Sequence, residues 1–191
     1  LCAHCVRQWR PFDGEGETRM TPCAAVIAAA GDAGVERVVV PILEEATVAK
    51  AKSLSAAAEI FRPAVQAAET AGVDLAFEMD LPAAECGEFV RLLDSSRARL
   101  CYDSGNATAQ GRDIVAEVVE LLPRVAEVHI KDRRVGGASQ ALGQGDTKFG
   151  EFFSALIERN WQGPLVLETP VLDDPLGHAQ QNLTFIQKFL S

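Results

Sequence analysis

The sequence contains no apolar run approaching the roughly 18 residues that a membrane-spanning helix needs, and we read no secretory signal in it. The expectation is therefore a soluble protein of the cytoplasm with no membrane partner. Positive charge is in short supply: 18 Lys and Arg stand against 27 Asp and Glu, for a net charge of −9 and a pI near 4.8. A surface of that sign argues against nucleic-acid backbones and anionic lipid as main partners. A small substrate held by a local basic cluster remains compatible with it. The five cysteines (Cys2, Cys5, Cys23, Cys86 and Cys101) are odd in number and irregularly spaced, which suits a reducing compartment and not a disulfide framework. Cys2-Ala-His-Cys5 has the CxxC form, but no second CxxC follows and the alternation in LCAHCV suits a strand, so we assign it neither metal nor redox chemistry. Low-complexity tracts are lacking too, and at 191 residues nothing marks a second domain.

What the chain does have is a repeated strand-and-helix pattern. Strands are predicted at Leu1 to Val6, Arg37 to Leu43, Val73 to Met79, Arg99 to Asp103, Glu127 to Lys131 and Leu165 to Glu168. Helices are predicted at Thr21 to Ala33, Ser53 to Ala71, Ala83 to Asp94, Arg112 to Leu122, Gly150 to Arg159 and Pro175 to Leu190. Gly34, Gly72 and Asn160-Trp161-Gln162-Gly163-Pro164 punctuate the joins. Strand then helix, six times over, is α/β architecture with parallel strands. An eight-unit TIM barrel takes about 250 residues, so the expectation is a partial (β/α)8 barrel carrying strands 3 to 8, with the first two units missing. An open doubly wound sheet is the alternative, because spacing alone does not show closure. Two strand edges left unpaired would invite association, and a homodimer is the expected assembly.

Four acid or imidazole side chains fall at predicted strand ends: Glu78 in LAFEMD, Asp103 in LCYDSGN, His129 in EVHIKD and Glu168 in PLVLET, separated by 25, 26 and 39 residues. Singly, each has a plain structural reading as a rim residue, a turn former or a hydrogen-bonded histidine. In succession they match the way a parallel barrel assembles a site, since the carboxyl ends of all strands share one face. Three carboxylates beside one imidazole repel unless a cation sits among them. Hard oxygen donors with one nitrogen suit Mn²⁺ or Mg²⁺, with Co²⁺, Fe²⁺ or Zn²⁺ as further choices, whereas a structural zinc site usually recruits cysteine.

FEMD, YDSGNATA, VHIKDRR, LGQGDTKFGEFFSAL and NWQGPLVLET followed by DDP together resemble the xylose isomerase-like barrel superfamily of sugar isomerases and epimerases. The likeness is greatest to the L-xylulose-5-phosphate 3-epimerase group, also called hexulose-6-phosphate isomerase-like. The resemblance runs from LCAHCVRQWRPF to the C-terminus. It implies that Glu78, Asp103, His129 and Glu168 are metal ligands and that Glu78 and Glu168 form a catalytic acid/base pair. In such enzymes one glutamate removes a proton beside a ketose carbonyl to give a metal-stabilised enediolate, and the other returns a proton from the opposite face. The implied substrate is a sugar or sugar phosphate. The same barrel offers inosose dehydratase as an alternative, through HIKDRR and VLDDP, and a non-catalytic barrel fragment that binds a partner is the alternative of another class. The DNA-repair endonuclease of this barrel is disfavoured, since its zinc cluster needs more histidines than His4, His129 and His178.

Several neighbours are candidate substrate contacts with plainer readings beside them. Asn106 is placed to bond a substrate hydroxyl or to cap the next turn. Lys131, Arg133 and Arg134 follow His129 and read either as a substrate or phosphate site or as a solvated basic loop. Asp132 is a candidate to orient His129 or Lys131. Gly143 and Gly145 give a turn able to approach a phosphate, although GxG alone is weak. Arg7 and Arg10 are candidates to face substrate, Trp9 suits a core position equally, and His178 is expected at the surface.

Overall fold

A computed structural model of the chain describes residues 1–3, 6, 10–13, 21–170 and 173–190. In chain order the elements are α1 (Thr21–Asp32), β1 (Arg37–Ile42), α2 (Leu54–Ala71), β2 (Asp74–Met79), α3 (Ala83–Leu93), β3 (Ala98–Asp103), α4 (Ser104–Ala109), α5 (Ile114–Leu121), β4 (Val125–Ile130), β5 (Asp132–Arg133), β6 (Ser139–Gln140), α6 (Phe149–Glu158), β7 (Leu165–Leu167) and α7 (Pro175–Leu190). They fall into two compact units. One comprises Leu1–Cys101 with Arg124–Ala126, the other Tyr102–Pro123 with Glu127–Ser191, so β3 and β4 each begin in the first and end in the second.

In the first unit β1 and β2 pair in parallel, Val39 opposite Ala76 and Pro41 opposite Glu78, and β2 pairs in parallel with β3, Glu78 opposite Cys101. Side chains alternate along a strand. Phe77 of β2 accordingly meets Phe61 of α2 and Phe89 of α3 edge-on, with centroids 5.4 and 5.3 Å away, while Ala76 packs on the other side with Val39, Cys101 and Ala126. Small residues line one face and aromatics seat the helices on the other, so β2 reads as a continuous apolar run. By the same alternation Glu78 lies on the Ala76 side, and it is buried, at 5% exposure. Local signals set α2: the Ser53 hydroxyl accepts from Ala56 N, and Gly72 closes the helix with φ of 71°, a conformation open to glycine at little cost.

In the second unit β4 is buried at every position and pairs in parallel with β7, His129 opposite Val166. The aromatics of α6 make the core here: Phe152 stacks with Tyr102, Phe153 with Phe189, and Phe149 meets Phe185 edge-on.

Five of the six predicted strands and all six predicted helices are present, with ends shifted by at most two residues. The exception is Leu1 to Val6, of which residues 4 and 5 lie outside the described residues: Cys2 forms an isolated parallel bridge to Val39, with Ala3 N donating to Val39 O and Val39 N to Leu1 O, and Val6 N donates to Ala3 O. The hairpin β5–β6 and the short helix α4 carry no periodic pattern and went unforeseen; four of the six residues of α4 (Ser104, Gly105, Asn106 and Thr108) are weak helix formers, with Ala107 and Ala109 the exceptions.

Candidate metal centre

The segment Asp103-Ser104-Gly105-Asn106 shows why these residue types occur in this order. Asp103 ends β3 and caps α4, its Oδ1 accepting from Asn106 N at 2.8 Å. The Ser104 hydroxyl lies 3.2 Å from His129 O and 3.0 Å from Lys131 O and accepts from Lys131 N at 3.1 Å, which laces α4 to the end of β4. At Gly105 an added Cβ would come within 2.7 Å of Lys131 Cγ, so glycine is what lets the lysine stem pass. Asn106 Oδ1 accepts from Arg133 Nη1 at 3.0 Å. Gly105→Ala is expected to lower stability by about 1–3 kcal/mol through overpacking, read as a lower urea midpoint at unchanged slope.

Through that lacing Asp103, His129 and Glu168 converge in the second unit. Their ligand atoms lie within 4.8 Å of one another, His129 Nδ1 is 2.8 Å from Glu168 Oε2, and Lys131 Nζ is 2.6 Å from Glu168 Oε1 and 3.5 Å from Asp103 Oδ2. Asp103 and His129 are buried, whereas the Glu168 side chain is 44% exposed. The hydrogen bond from His129 and then the contacts with Lys131 hold the Glu168 carboxyl down at about 2, against the opposing effect of burial. Asp103 moves the other way. Burial raises its pKa, Lys131 opposes that shift, and the Glu168 charge adds to it.

A divalent cation fits these residues. Asp103 Oδ2 is buried and accepts no hydrogen bond among the described residues, leaving a lone pair aimed at the cluster. Donor atoms about 2.0–2.2 Å from one ion lie at most about 4.4 Å apart, so small side-chain adjustments bring the three into range. The ammonium of Lys131 supplies positive charge to the same carboxylates, which is how the chain holds them together by its own groups.

Each remaining candidate has a definite place. Arg133 donates from Nε and Nη2 to Gly137 O as well as to Asn106, and Arg134 pairs with Asp146 at 3.1 Å; both bind the 133–146 loop to itself. Asp132 does not orient His129, as its sequence position suggested. It accepts from Gly143 N and Gly145 N, both at 2.8 Å, and from Thr147 N at 3.2 Å. Gly145 is required there, since a Cβ would collide with the Asp132 carboxylate. Three nearby amide donors attract that carboxylate more strongly than one imidazole on its own strand. Arg10, in the first unit, pairs with Asp13 and Glu45. His178 lies partly exposed on α7. Arg7, Trp9, His4 and Cys5 lie outside the described residues. Sequence reasoning missed Glu127, whose Oε1 is 2.9 Å from His129 Nε2 in a buried pair. The available signal was an acid two positions before the histidine on one strand, where side chains share a face.

Over 129 residues the chain is 27% identical to an inosose dehydratase of Mesomycoplasma hyopneumoniae, covering 56% of this chain and 43% of that protein. It spans less than half the length of the curated relatives it matches. Among solved structures it is similar to an L-ribulose 3-epimerase, with TM-score 0.73, 19% identity, and 88% of this chain and 66% of that one covered. It is similar also to the IOLI protein with a bound zinc atom, with TM-score 0.72, 19% identity, and 93% and 70% covered. At these identities the two structures speak to fold alone, and they agree with the parallel strands and alternating helices of a TIM barrel. With the family's sequence model matching residues 1–189, the chain belongs to the xylose isomerase-like TIM barrel family.

Proposed function

We propose that this chain carries the divalent-metal site of a sugar or sugar-phosphate isomerase or epimerase, with Asp103, His129 and Glu168 as ligands and Glu78 as the fourth. The observation that carries the reading is the convergence of Asp103, His129 and Glu168, with the Asp103 Oδ2 lone pair buried and uncommitted to a hydrogen bond. Glu78 is supported by register. It stands opposite Cys101, two residues before Asp103 on the same strand, and it is buried on the Ala76 side of β2.

A bound Mn²⁺ or Mg²⁺ would supply positive charge against the negative charge that develops on substrate oxygen as a proton leaves the neighbouring carbon. Glu168 is ionised at neutral pH, its carboxyl held at about 2 by His129 and Lys131, so it gains the basicity to accept that proton only as those contacts pass to metal and substrate. Glu78 is the residue to deliver one from the opposite face. Lys131, already 2.6 Å from Glu168, is placed to donate to a substrate hydroxyl beside that carboxylate. Asp103 and His129 are buried, which strengthens the interactions made at those two groups.

A dehydratase is the second reading, favoured by the inosose dehydratase relatives. Loss of water against conservation of mass in the product separates the two. The test of the site itself is calorimetric titration with Mn²⁺. The chain is expected to bind one ion, and Glu78→Gln and Glu168→Gln to weaken binding by more than the roughly 10–100-fold that follows loss of a supporting partner. No binding by the unaltered chain would overturn the reading, and wild-type affinity in either variant would remove that residue from the site.

A further inference from the structure

We propose that Glu127 is a positioning residue that fixes which ring nitrogen of His129 faces the metal, so that Nδ1 is the ligand and Nε2 carries the proton. The inference rests on the metal-site reading above and adds a residue to it. Both side chains are buried, with Glu127 8% and His129 7% exposed. Glu127 Oε1 stands 2.9 Å from Nε2, while Nδ1 on the opposite side of the ring lies 2.8 Å from Glu168 Oε2, among the ligand oxygens. A neutral imidazole has one N–H and one lone pair. In the metal-free chain Nδ1 faces Glu168 Oε2 as a donor. Once a cation takes the place of that proton, the buried Glu127 carboxylate is the charge-assisted acceptor that keeps the remaining N–H on Nε2 and leaves the Nδ1 lone pair to the metal, beside Asp103 and Glu168. The same contact holds the ring plane and raises the basicity of the liganding nitrogen. Asp132, the nearest acid in sequence after the histidine, is not available for this, because its oxygens are taken by the amides of Gly143, Gly145 and Thr147.

The geometry follows from the strand. Glu127 and His129 are alternate residues of β4, so their side chains leave the backbone on one face and run side by side. The chain thus pairs a ligand with its orienting group within three residues. A Gln at 127 keeps an acceptor oxygen of the same reach without the charge, and a Leu fills similar volume with no acceptor at all.

The experiment combines Mn²⁺ titration of the wild type, Glu127→Gln and Glu127→Leu with ¹⁵N spectra of the His129 ring in the zinc-loaded chain. Expected are a roughly 10–100-fold weaker affinity in Glu127→Leu, retention of most of it in Glu127→Gln, and a wild-type ring with Nε2 protonated and Nδ1 metal-bound. A merely structural role for Glu127 would not move the ring spectrum. Zinc on Nε2, or wild-type affinity in folded Glu127→Leu, would overturn the proposal while leaving the metal site standing. Should Glu127→Leu not fold, the wild-type spectrum decides by itself. Should the wild type bind no metal, the metal-site reading falls, and the metal-free ring is read at about pH 8.5, above the ordinary imidazole pKa of about 6.5. A proton on Nε2 in the wild type that is absent in Glu127→Leu then supports the positioning role, and an unchanged ring overturns it.

Discussion

Replacing Asp103 with Asn is expected to abolish metal binding and yet leave the metal-free chain as stable as before or more so. Asp103 has two jobs. Its Oδ1 caps α4 through Asn106 N, and its Oδ2 is a buried oxygen with no hydrogen bond among the described residues. Asn is as good a cap as Asp, so the first job survives. The second does not, because a neutral amide oxygen is a far poorer donor to a hard cation than a carboxylate. Stability turns on the sign of the pKa shift. Burial raises the Asp103 carboxyl above its ordinary 3.8, so between 3.8 and the raised value the folded chain holds a proton that the unfolded chain has released. Folding stability is therefore lost as the pH rises through the window between 3.8 and the raised value, and the cost persists at neutral pH. An amide at this position does not titrate, so the Asp103→Asn chain would carry no such cost. Thermal unfolding without metal should show a Tm unchanged or higher in Asp103→Asn, at roughly 2–4 °C per kcal/mol recovered for a chain of this size, and the gain should vanish toward pH 3. A clearly lower Tm at neutral pH would mean that the pairing with Lys131 outweighs burial. With Mn²⁺ present the order reverses, since only the wild type gains from binding.

Phe77→Ala is expected to carry the largest cost to the fold. Phe77 is fully buried on the helix-facing side of β2 and meets Phe61 and Phe89 edge-on at 5.4 and 5.3 Å. Its removal would leave a cavity beneath Phe61 and Phe89, which keep only their own edge-on contact at 6.0 Å, and the strand backbone, hydrogen-bonded on both sides to β1 and β3, is poorly placed to collapse into the space. The expected loss is about 3–5 kcal/mol, set against total stabilities of about 5–15 kcal/mol for domains generally. Denaturant unfolding reads it directly. A loss under about 1 kcal/mol would show that Phe61 and Phe89 close the gap. Phe77 precedes Glu78, so a tilt of β2 should also weaken Mn²⁺ binding if Glu78 is the fourth ligand.

The elements legible in the sequence are those whose signals are local. The Ser53 cap and Gly72 stop bracket α2, α7 runs from Pro175 to Leu190 as its periodicity predicts, and β4 is a run of buried residues whose last but one is His129. The four strand-end acids and imidazole could be picked out because a parallel sheet brings strand ends to one face, which makes spacing a proxy for position. Against that stand the residues whose role is decided by a partner far along the chain. Asp132 reads as a neighbour of His129 until the 143–147 loop folds back and donates three amides to it. Arg133 and Arg134 read equally as an anion site or a solvated basic loop, and only the fold shows that Gly137, Asn106 and Asp146 engage them.

Sequence by itself thus determined the repeating β/α pattern, the family and the ligand set to test, because periodicity, caps and strand-end chemistry are written within a few residues of where they act. Only the tertiary structure decided which carboxylate each cation and imidazole meets. Glu127 with His129 Nε2, Glu168 with Lys131, and Asp132 with the loop amides are choices among several acids of equal sequence plausibility. They are settled by distances of about 3 Å, and electrostatic and hydrogen-bond energies fall too steeply with distance and burial for spacing along the chain to stand in for them.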